Sequence, residues 1–177
     1  ASIVAGLNNG MGQLVGVGIA CAVAGLVVGT LSMADLTGKI SSGMFTLAGG
    51  SYALTLLVAT VVIILLGMGM PTPAVYALSA VLAAPALLAL KIELLPAHLF
   101  IVYFASMSAI TPPVAVAAFA AASIARANPI AVAFVACRVG IVAFVLPLVF
   151  VNQPGLLLMG DAATVVTTIG FVLMGAM

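Results

Sequence analysis

Long uninterrupted runs of apolar residues dominate the chain, and the charged positions fall between them. Asp, Glu, Lys and Arg are absent from residues 1–34, 40–90, 94–125 and 139–160. A transmembrane helix needs about 20 mostly apolar residues, so three of these runs exceed the length of one span. The pattern predicts an all-α integral membrane protein, a polytopic helical bundle that forms a single transmembrane region over residues 1–177.

Glycine and proline residues divide the longest apolar run into two arms. The break lies in the sequence MGMPTPA, with an apolar arm on either side of it within residues 51–90. Pro71 and Pro73 cannot donate backbone hydrogen bonds, and Gly67 and Gly69 weaken the helix just ahead of them. The sequence therefore predicts a helical hairpin over residues 51–90.

Two membrane topologies fit this hairpin, namely two full crossings and a re-entrant loop. A turn at the membrane surface is normally polar, whereas MGMPTP offers one hydroxyl and two thioether groups. Irregular backbone at membrane depth is tolerated only where it is buried in protein or lines a cavity. The apolar turn therefore favours a re-entrant hairpin whose tip is buried within the bundle.

Polar boundaries divide the second half of the chain at KIELLPAH, RANP and NQPG. The segment before RANP slightly exceeds one span and contains a Thr-Pro-Pro step near its centre, which predicts a helix interrupted at membrane depth. The elements predicted after the hairpin are an interrupted helix at 98–125, a transmembrane helix at 130–151 and a last transmembrane helix at 156–177.

Composition and charge exclude several classes of protein. Of the 177 residues, 66% are hydrophobic and 4% are charged, whereas a soluble domain carries roughly 25% charged residues. The net charge of +1 comes from scattered cations and offers no basic patch for nucleic acid. Cys21 and Cys137 both lie inside apolar runs, so we interpret them as small buried residues rather than as a disulfide or metal pair.

The titratable residues give little support to catalysis. The chain has one His and three carboxylates, which do not cluster in the sequence, and it has no Walker A motif. We therefore predict that it is not an enzyme, that it holds no resident metal or organic cofactor, and that it does not hydrolyse ATP.

The two predicted helix breaks form the candidate functional site. Backbone groups freed by a break persist in hydrocarbon only where protein, ions or trapped water supply partners. Unwound carbonyls suit a hard cation such as Na⁺, half-helix N-termini attract carboxylates, and paired breaks of this kind point to the substrate sites of secondary transporters. Proline kinks that bind nothing are the alternative interpretation. The residues assigned to ion and substrate binding are Gly67, Gly69, Thr72, Ser106, Ser108, Thr111, Pro112 and Pro113.

Arg138 is the charged residue inside the predicted span at 130–151. A charge within a bundle is a functional candidate, so Arg138 could pair with the carboxylate of a substrate. Its modest depth equally allows the side chain to reach the nearer interface or to form a structural ion pair, and we favour that second interpretation.

Three stretches of the sequence resemble the large membrane subunit of tripartite ATP-independent periplasmic (TRAP) transporters. They are GMGMPTPAVYALSAVLAAPAL, PAHLFIVYFASMSAITPPVAVAAFAAASIARANP and FVACRVGIVAFVLPLVFVNQPGLLL. Within that family the chain is most similar to the fused permeases of the TAXI type, and the resemblance runs from about Gly6 to Leu158. It implies that the chain is the C-terminal half of a permease built from inverted repeats.

The resemblance also implies a function and a set of partners. Such permeases are elevator-type secondary transporters, driven by an ion gradient that is usually Na⁺, and they typically carry organic acids across the inner membrane of prokaryotes. The implied partners are an extracytoplasmic substrate-binding protein, the N-terminal half of the permease, small-subunit-like helices and the lipid bilayer. The implied second ion site and one wall of the substrate site involve mainly Gly67, Gly69, Thr72, Ser108 and Thr111.

One position departs from the family pattern. Pro73 stands where a Thr is expected after Pro-Thr, which removes a hydroxyl and a backbone N–H and leaves the coupling ion open between Na⁺ and H⁺. No obvious proton carrier lies among residues 67–76 or 106–117, so Na⁺ is preferred. The functional alternatives are another elevator-type dicarboxylate symporter, driven by Na⁺ or H⁺ without a binding protein, and a structural membrane subunit whose broken helices are only kinks.

Overall fold

Helices make up most of the chain in the computed structural model, which describes residues 2–161, 163, 165–168 and 170. Those residues contain no β-strand, so the predicted all-α membrane architecture is confirmed. The elements are α1 (Ser2–Met33), α2 (Leu36–Leu47), α3 (Tyr52–Leu66), α4 (Thr72–Ala89), α5 (Leu94–Met107), α6 (Val116–Ala125), α7 (Pro129–Val139), α8 (Ile141–Asn152) and a 3₁₀ turn at Pro154–Leu157.

The helix boundaries follow from local sequence chemistry. Pro71 immediately precedes α4, and Pro129 is the first residue of α7, where a missing N–H costs no intrahelical hydrogen bond. The side chain of Asn128 caps α7 by accepting hydrogen bonds from the amides of Ile130 and Ala131 at 3.0 and 3.2 Å. These residues fix where the two helices begin.

Helix α4 lies at the centre of the molecule. It packs against α1, α2, α3 and α5. Half of its span is buried inside the molecule, compared with 6% of the apolar part of α1. The hydroxyl of Ser41 on α2 donates to the carbonyl of Leu82 at 2.7 Å, which ties α2 to the middle of α4. Most of the surface of α1 therefore faces outward.

Helices α3, α4 and α5 share a single apolar core. Ile63, Leu87, Phe100 and Phe104 are buried in it, and the two phenylalanine rings meet edge to face with centroids 4.7 Å apart. This core holds the break between α3 and α4 close to the C-terminal end of α5.

Among the residues that the structure describes, two helices are long and apolar enough to cross a membrane, namely α1 over Gly6–Met33 and α4 over Thr72–Ala89. Helices α6 and α7 pass the same test only as a pair, and they are bent by 118° at the break between them. Helices α3, α5 and α8 are shorter apolar helices of 10–17 residues. The chain therefore combines complete spans with interrupted ones.

The structure divides three of the predicted segments into two helices each. The predicted hairpin contains α3 and α4, and the predicted interrupted helix contains α5 and α6. The segment expected as one helix at 130–151 contains α7 and α8, with Gly140 between them. The last helix expected at 156–177 lies largely outside the described residues.

Candidate functional site

The two helix breaks meet at Gly67 and Ser108. The Ser108 hydroxyl lies 3.1 Å from the carbonyl oxygen of Gly67 and 2.7 Å from that of Ala105, so its single proton is shared between two acceptors. Both Gly67 and Ser108 are buried. A Cβ at position 67 would overlap the Cβ and Oγ of Ser108, so only glycine permits this approach.

Two helix C-termini converge at the same point. Helix α3 ends at Leu66 with Gly67 as its C-cap, and helix α5 ends at Met107 with Ser108 as its C-cap. The carbonyl groups at a helix C-terminus carry partial negative charge. Their convergence makes the Gly67–Ser108 junction favourable for a cation.

The tip between α3 and α4 is irregular backbone. Gly69 has φ +85°, a conformation that residues with a side chain rarely adopt. The weak turn at the tip is closed by the amide of Met70, which reaches the carbonyl of Gly67 at 3.5 Å. Few internal hydrogen bonds therefore hold the tip.

The segment between α5 and α6 is also unwound, although several hydrogen bonds fix its path. The amide of Ala117 donates to the carbonyl of Ala109 at 2.9 Å and so bridges the break. Ala115, the N-cap of α6, is fully buried with φ +30°, which is unusual for a residue with a Cβ and is a form of backbone strain found at functional sites. The Pro112–Pro113 peptide bond is cis.

Several carbonyl oxygens of the two breaks accept no hydrogen bond from any described residue. An unsatisfied carbonyl in hydrocarbon costs several kcal/mol, so such groups need an ion, water or further protein as a partner. They are therefore candidate cation ligands. They belong to Met68, Gly69 and Met70 in the tip and to Pro112, Pro113 and Val114 in the second break.

A cavity of about 370 Å³ lies between the tip and helix α6. This volume is within the range of small-molecule sites, roughly 300–1,000 Å³. Its wall contains the first residues of two helices, Thr72 of α4 and Val116 of α6. Helix N-termini carry partial positive charge, so the cavity favours an anion although its lining has no charged side chain. The lining residues are Gly67, Gly69, Met70, Pro71, Thr72, Ala109, Val116, Ala117 and Ala120.

Thr72 is the residue of this cavity with the most hydrogen-bonding capacity to spare. Neither its amide nor its hydroxyl has a partner among the described residues. Pro73 lies in the first turn of α4, where an N–H would have no intrahelical acceptor. Pro71 and Pro73 thus restrict the free donors of this helix end to Thr72, because the amides of Ala74 and Val75 both donate to the Pro71 carbonyl.

The remaining predicted site residues lie near the breaks but outside the cavity wall. The hydroxyl of Ser106 donates to the Val102 carbonyl at 2.9 Å, and that of Thr111 donates to the Met107 carbonyl at 2.7 Å. Both hydroxyls are thus engaged within or just beyond α5. Pro112 and Pro113 belong to the unwound segment.

Arg138 is exposed and does not line the cavity. It lies in the last turn of α7, where a cation is favourable for the helix dipole. The structure therefore places it on the surface of the described part of the chain.

Sequence reasoning missed the far wall of the cavity. Val116, Ala117 and Ala120 are apolar residues of α6 with no chemical signal of their own, and only the bend of the chain at Ala115 brings them to the tip. It also missed the hydrogen bond between Tyr76 and His98, whose Oη and Nδ1 lie 2.9 Å apart. The Thr-Pro-Pro break just before α6 was the one sequence signal that pointed towards the α6 wall. Nothing in the sequence indicates that Tyr76 and His98 are paired.

These features define a class of protein, a polytopic all-α membrane protein with two interrupted helices that meet, as is found at the substrate sites of secondary transporters. The family model described as "Tripartite ATP-independent periplasmic transporter, DctM component" matches residues 1–176. The chain therefore belongs to this family of large TRAP transporter components. No curated protein and no solved structure matches the chain.

Membership fixes the function at a coarse level. The chain is a membrane permease component of a TRAP transporter. Its family is a family of transporters rather than of enzymes. Membership also implies association with the other components of such a transporter.

Proposed function

We propose that the chain is part of a Na⁺-coupled permease that takes up organic acid anions. The observation that carries this proposal is that helix ends of opposite partial charge lie at two neighbouring places. The C-termini of α3 and α5 meet at Gly67 and Ser108, whereas the N-termini of α4 and α6 line the adjoining cavity. Gly67 belongs to both places, so a cation and a carboxylate bound there would lie close together.

The type of donor supports Na⁺ as the coupling ion. The candidate ligands at the breaks are backbone carbonyls and the Ser108 hydroxyl, which are neutral oxygen donors suited to a hard cation. The described residues that line the cavity include no side chain that titrates near neutral pH. A H⁺-driven carrier would need such a group near the site.

A small carboxylate suits the cavity better than a neutral or cationic substrate. The free donors at its wall are the amides of Gly69 and Val116 and the amide and hydroxyl of Thr72. Hydrogen bonds from such groups to a carboxylate are charge-assisted and are therefore stronger than those to a neutral group. The apolar lining would hold the hydrocarbon part of an organic acid.

The complete transporter that we propose contains more than this chain. The chain would be the C-terminal half of an elevator-type permease in the inner membrane of a prokaryote, and an extracytoplasmic binding protein would deliver the substrate. The outward-facing surface of α1 supports further helical partners, because it presents glycines at which an added Cβ would meet no atom within 4 Å, and small residues let helices approach closely in lipid. These glycines are Gly12, Gly16, Gly25 and Gly29.

The test is uptake by proteoliposomes that contain the complete permease, with and without its binding protein. A panel of labelled four- and five-carbon organic acids is offered under an inward Na⁺ gradient, or under an inward K⁺ gradient with a pH step. The expected result is uptake that requires both Na⁺ and the binding protein. Uptake driven by the pH step alone would overturn the choice of ion, and uptake independent of the binding protein would favour a symporter of another type.

A further inference from the structure

Helices α6 and α7 form a small body of their own. Ala115, Ala118 and Ala133 are buried in an apolar cluster separate from the main core. The partly buried residues packed on this cluster are Phe119, Val132 and Ala136. Helix α6 packs principally on α7 in the described part of the chain, and α7 makes only limited contact with α8. The position of the pair therefore depends strongly on its two connections to the rest of the molecule.

These two connections are both irregular. One is the unwound segment at 108–115, and the other is Gly140, which separates α7 from α8. Because α6 supplies Val116, Ala117 and Ala120 to the cavity, any rotation of the pair about these connections would move one wall of the cavity.

The two connections touch each other at Ile110, which belongs to the unwound segment and contacts the end of α7. The thiol of Cys137 on α7 donates to the Ile110 carbonyl, with Sγ 3.3 Å from the oxygen. A Cβ at Gly140 would lie 3.2 Å from Ile110 Cδ1 and 3.1 Å from the carbonyl oxygen of Ala136, which is closer than most Cβ contacts. The thiol and the missing side chain of Gly140 together let α7 lie directly against the unwound segment.

The Cys137 thiol is the hydrogen-bond donor of the Ile110 carbonyl. No backbone amide among the described residues donates to it, because the helical pattern has already ended there. A thiol is a weak donor, yet an unpaired carbonyl at membrane depth is costly, so even a weak partner fixes its direction. Thr111 and the unpaired carbonyls of Pro112 and Pro113 follow immediately along the chain.

We propose that Cys137 is a positioning residue, whose hydrogen bond to the Ile110 carbonyl sets the path of the unwound segment and, through it, the α6 wall of the cavity. Cys137 would touch neither the ion nor the substrate. The proposal deepens the proposed function, since it concerns the same cavity and depends on transport for one of its two readouts.

The first readout is transport by the complete permease with its binding protein. Cys137→Ala should raise the KM for the organic acid about two- to fivefold, the range expected for the loss of one weak neutral hydrogen bond, while the maximal rate changes less. Cys137→Ser retains a hydroxyl donor and should return the KM to within about twofold of the wild type. Cys21→Ala is the matched control, because Cys21 lies on α1 and does not line the cavity, and it should leave uptake unchanged.

The second readout does not depend on transport. Hydrogen–deuterium exchange should be faster for the hydrogen-bonded amides of the unwound segment in Cys137→Ala than in the wild type, while Cys137→Ser and Cys21→Ala should retain wild-type exchange. These amides belong to Ile110, Thr111, Ala115 and Ala117. If Cys137→Ala folds poorly, Gly140→Ala tests the same contact, because its methyl group should displace α7 from Ile110 and accelerate the same amides.

The outcomes separate this proposal from the proposed function. Equal KM values and equal exchange in the Ala and Ser variants of Cys137 would overturn the positioning role, even in a permease that transports normally. A wild-type permease that shows no ion-driven uptake would overturn the proposed function. In that case faster exchange in Cys137→Ala, restored by Ser, would still support the contact between Cys137 and the unwound segment.

Discussion

The hydroxyl of Ser108 donates to the carbonyl oxygen of Gly67 at 3.1 Å, although the two residues are 41 positions apart in the sequence. This contact joins the tip of one helical hairpin to the end of the following helix. It also places the C-terminal ends of two half-helices side by side. The expected consequences for ion binding, substrate binding and stability can each be tested separately.

Substitution of Gly67 by Ala should destabilise the permease. The new methyl group would overlap the side chain of Ser108 in a buried junction, so the two breaks could no longer approach each other. Overpacking of this kind costs about 1–3 kcal/mol. Thermal unfolding in detergent should therefore show a lower transition temperature for Gly67→Ala.

The double variant Gly67→Ala/Ser108→Gly removes the overlapping atoms and should recover much of the lost stability. Gly43→Ala is the matched control, because no atom lies within 4 Å of the position of its new methyl group. In a helix interior the change to Ala is expected to be neutral or favourable. Equal destabilisation by Gly67→Ala and Gly43→Ala would contradict the close approach.

Enlarging Ala120 should block the substrate. Ala120 lines the cavity on the α6 side, so Leu at this position would reduce the volume available to an organic acid. We expect the KM for uptake to rise about tenfold or more. Ala121→Leu, on the neighbouring exposed position of α6, should transport normally. Normal KM values for both variants would exclude this cavity from the substrate path.

Replacing Thr72 by Val removes a hydroxyl of nearly the same shape. That hydroxyl has no partner among the described residues and belongs to the wall of the cavity, so the substrate carboxylate is its expected acceptor. Loss of a hydrogen bond to a charged group should raise the KM about tenfold or more. Uptake kinetics of Thr46→Val provide the comparison, since the Thr46 hydroxyl bonds the Gly43 carbonyl within α2. A KM that does not distinguish the two variants would remove Thr72 from the site.

The apolar runs and the Gly–Pro breaks were enough to predict the membrane architecture. Runs free of charge over residues 40–90 and 94–125 allow few alternatives to helices in lipid, and the prolines at 71, 112 and 113 lie beside glycines or in a Thr-Pro-Pro step that weakens a helix. The structure has a helix boundary at each of these two places, between α3 and α4 and between α5 and α6.

Contacts between distant segments could not be predicted from the sequence. Whether Gly67 faces Ser108 depends on how α5 packs against the hairpin, and the period of an almost wholly apolar helix does not reveal which of its faces is buried. The alanines of the α6 wall have no polar group that would mark them as residues of a site. Gly140 was hidden within an unbroken apolar run, because a single glycine often lies within a continuous helix.

Substitution of Asn128 by Ala should destabilise the start of α7. The Asn128 side chain accepts hydrogen bonds from two backbone amides of the first turn, and loss of such a cap costs about 1 kcal/mol. Asn128→Asp retains the acceptor oxygen and should be close to the wild type. Hydrogen–deuterium exchange of Ile130 and Ala131 should be faster only in the Ala variant, and equal exchange in both variants would show that the cap is not formed.

The most direct test of the account is equilibrium binding of radiolabelled Na⁺ to the purified complete permease, compared between the wild type and Ser108→Ala. The wild type should bind Na⁺ saturably. Ser108→Ala should bind it about tenfold or more weakly, because the variant lacks a hydroxyl at the point where the C-termini of α3 and α5 converge. Ser123→Ala, whose hydroxyl bonds only the Ala120 carbonyl, should match the wild type. Na⁺ binding that is absent from the wild type, or unchanged in Ser108→Ala, would contradict an ion site at the junction of the two helix breaks.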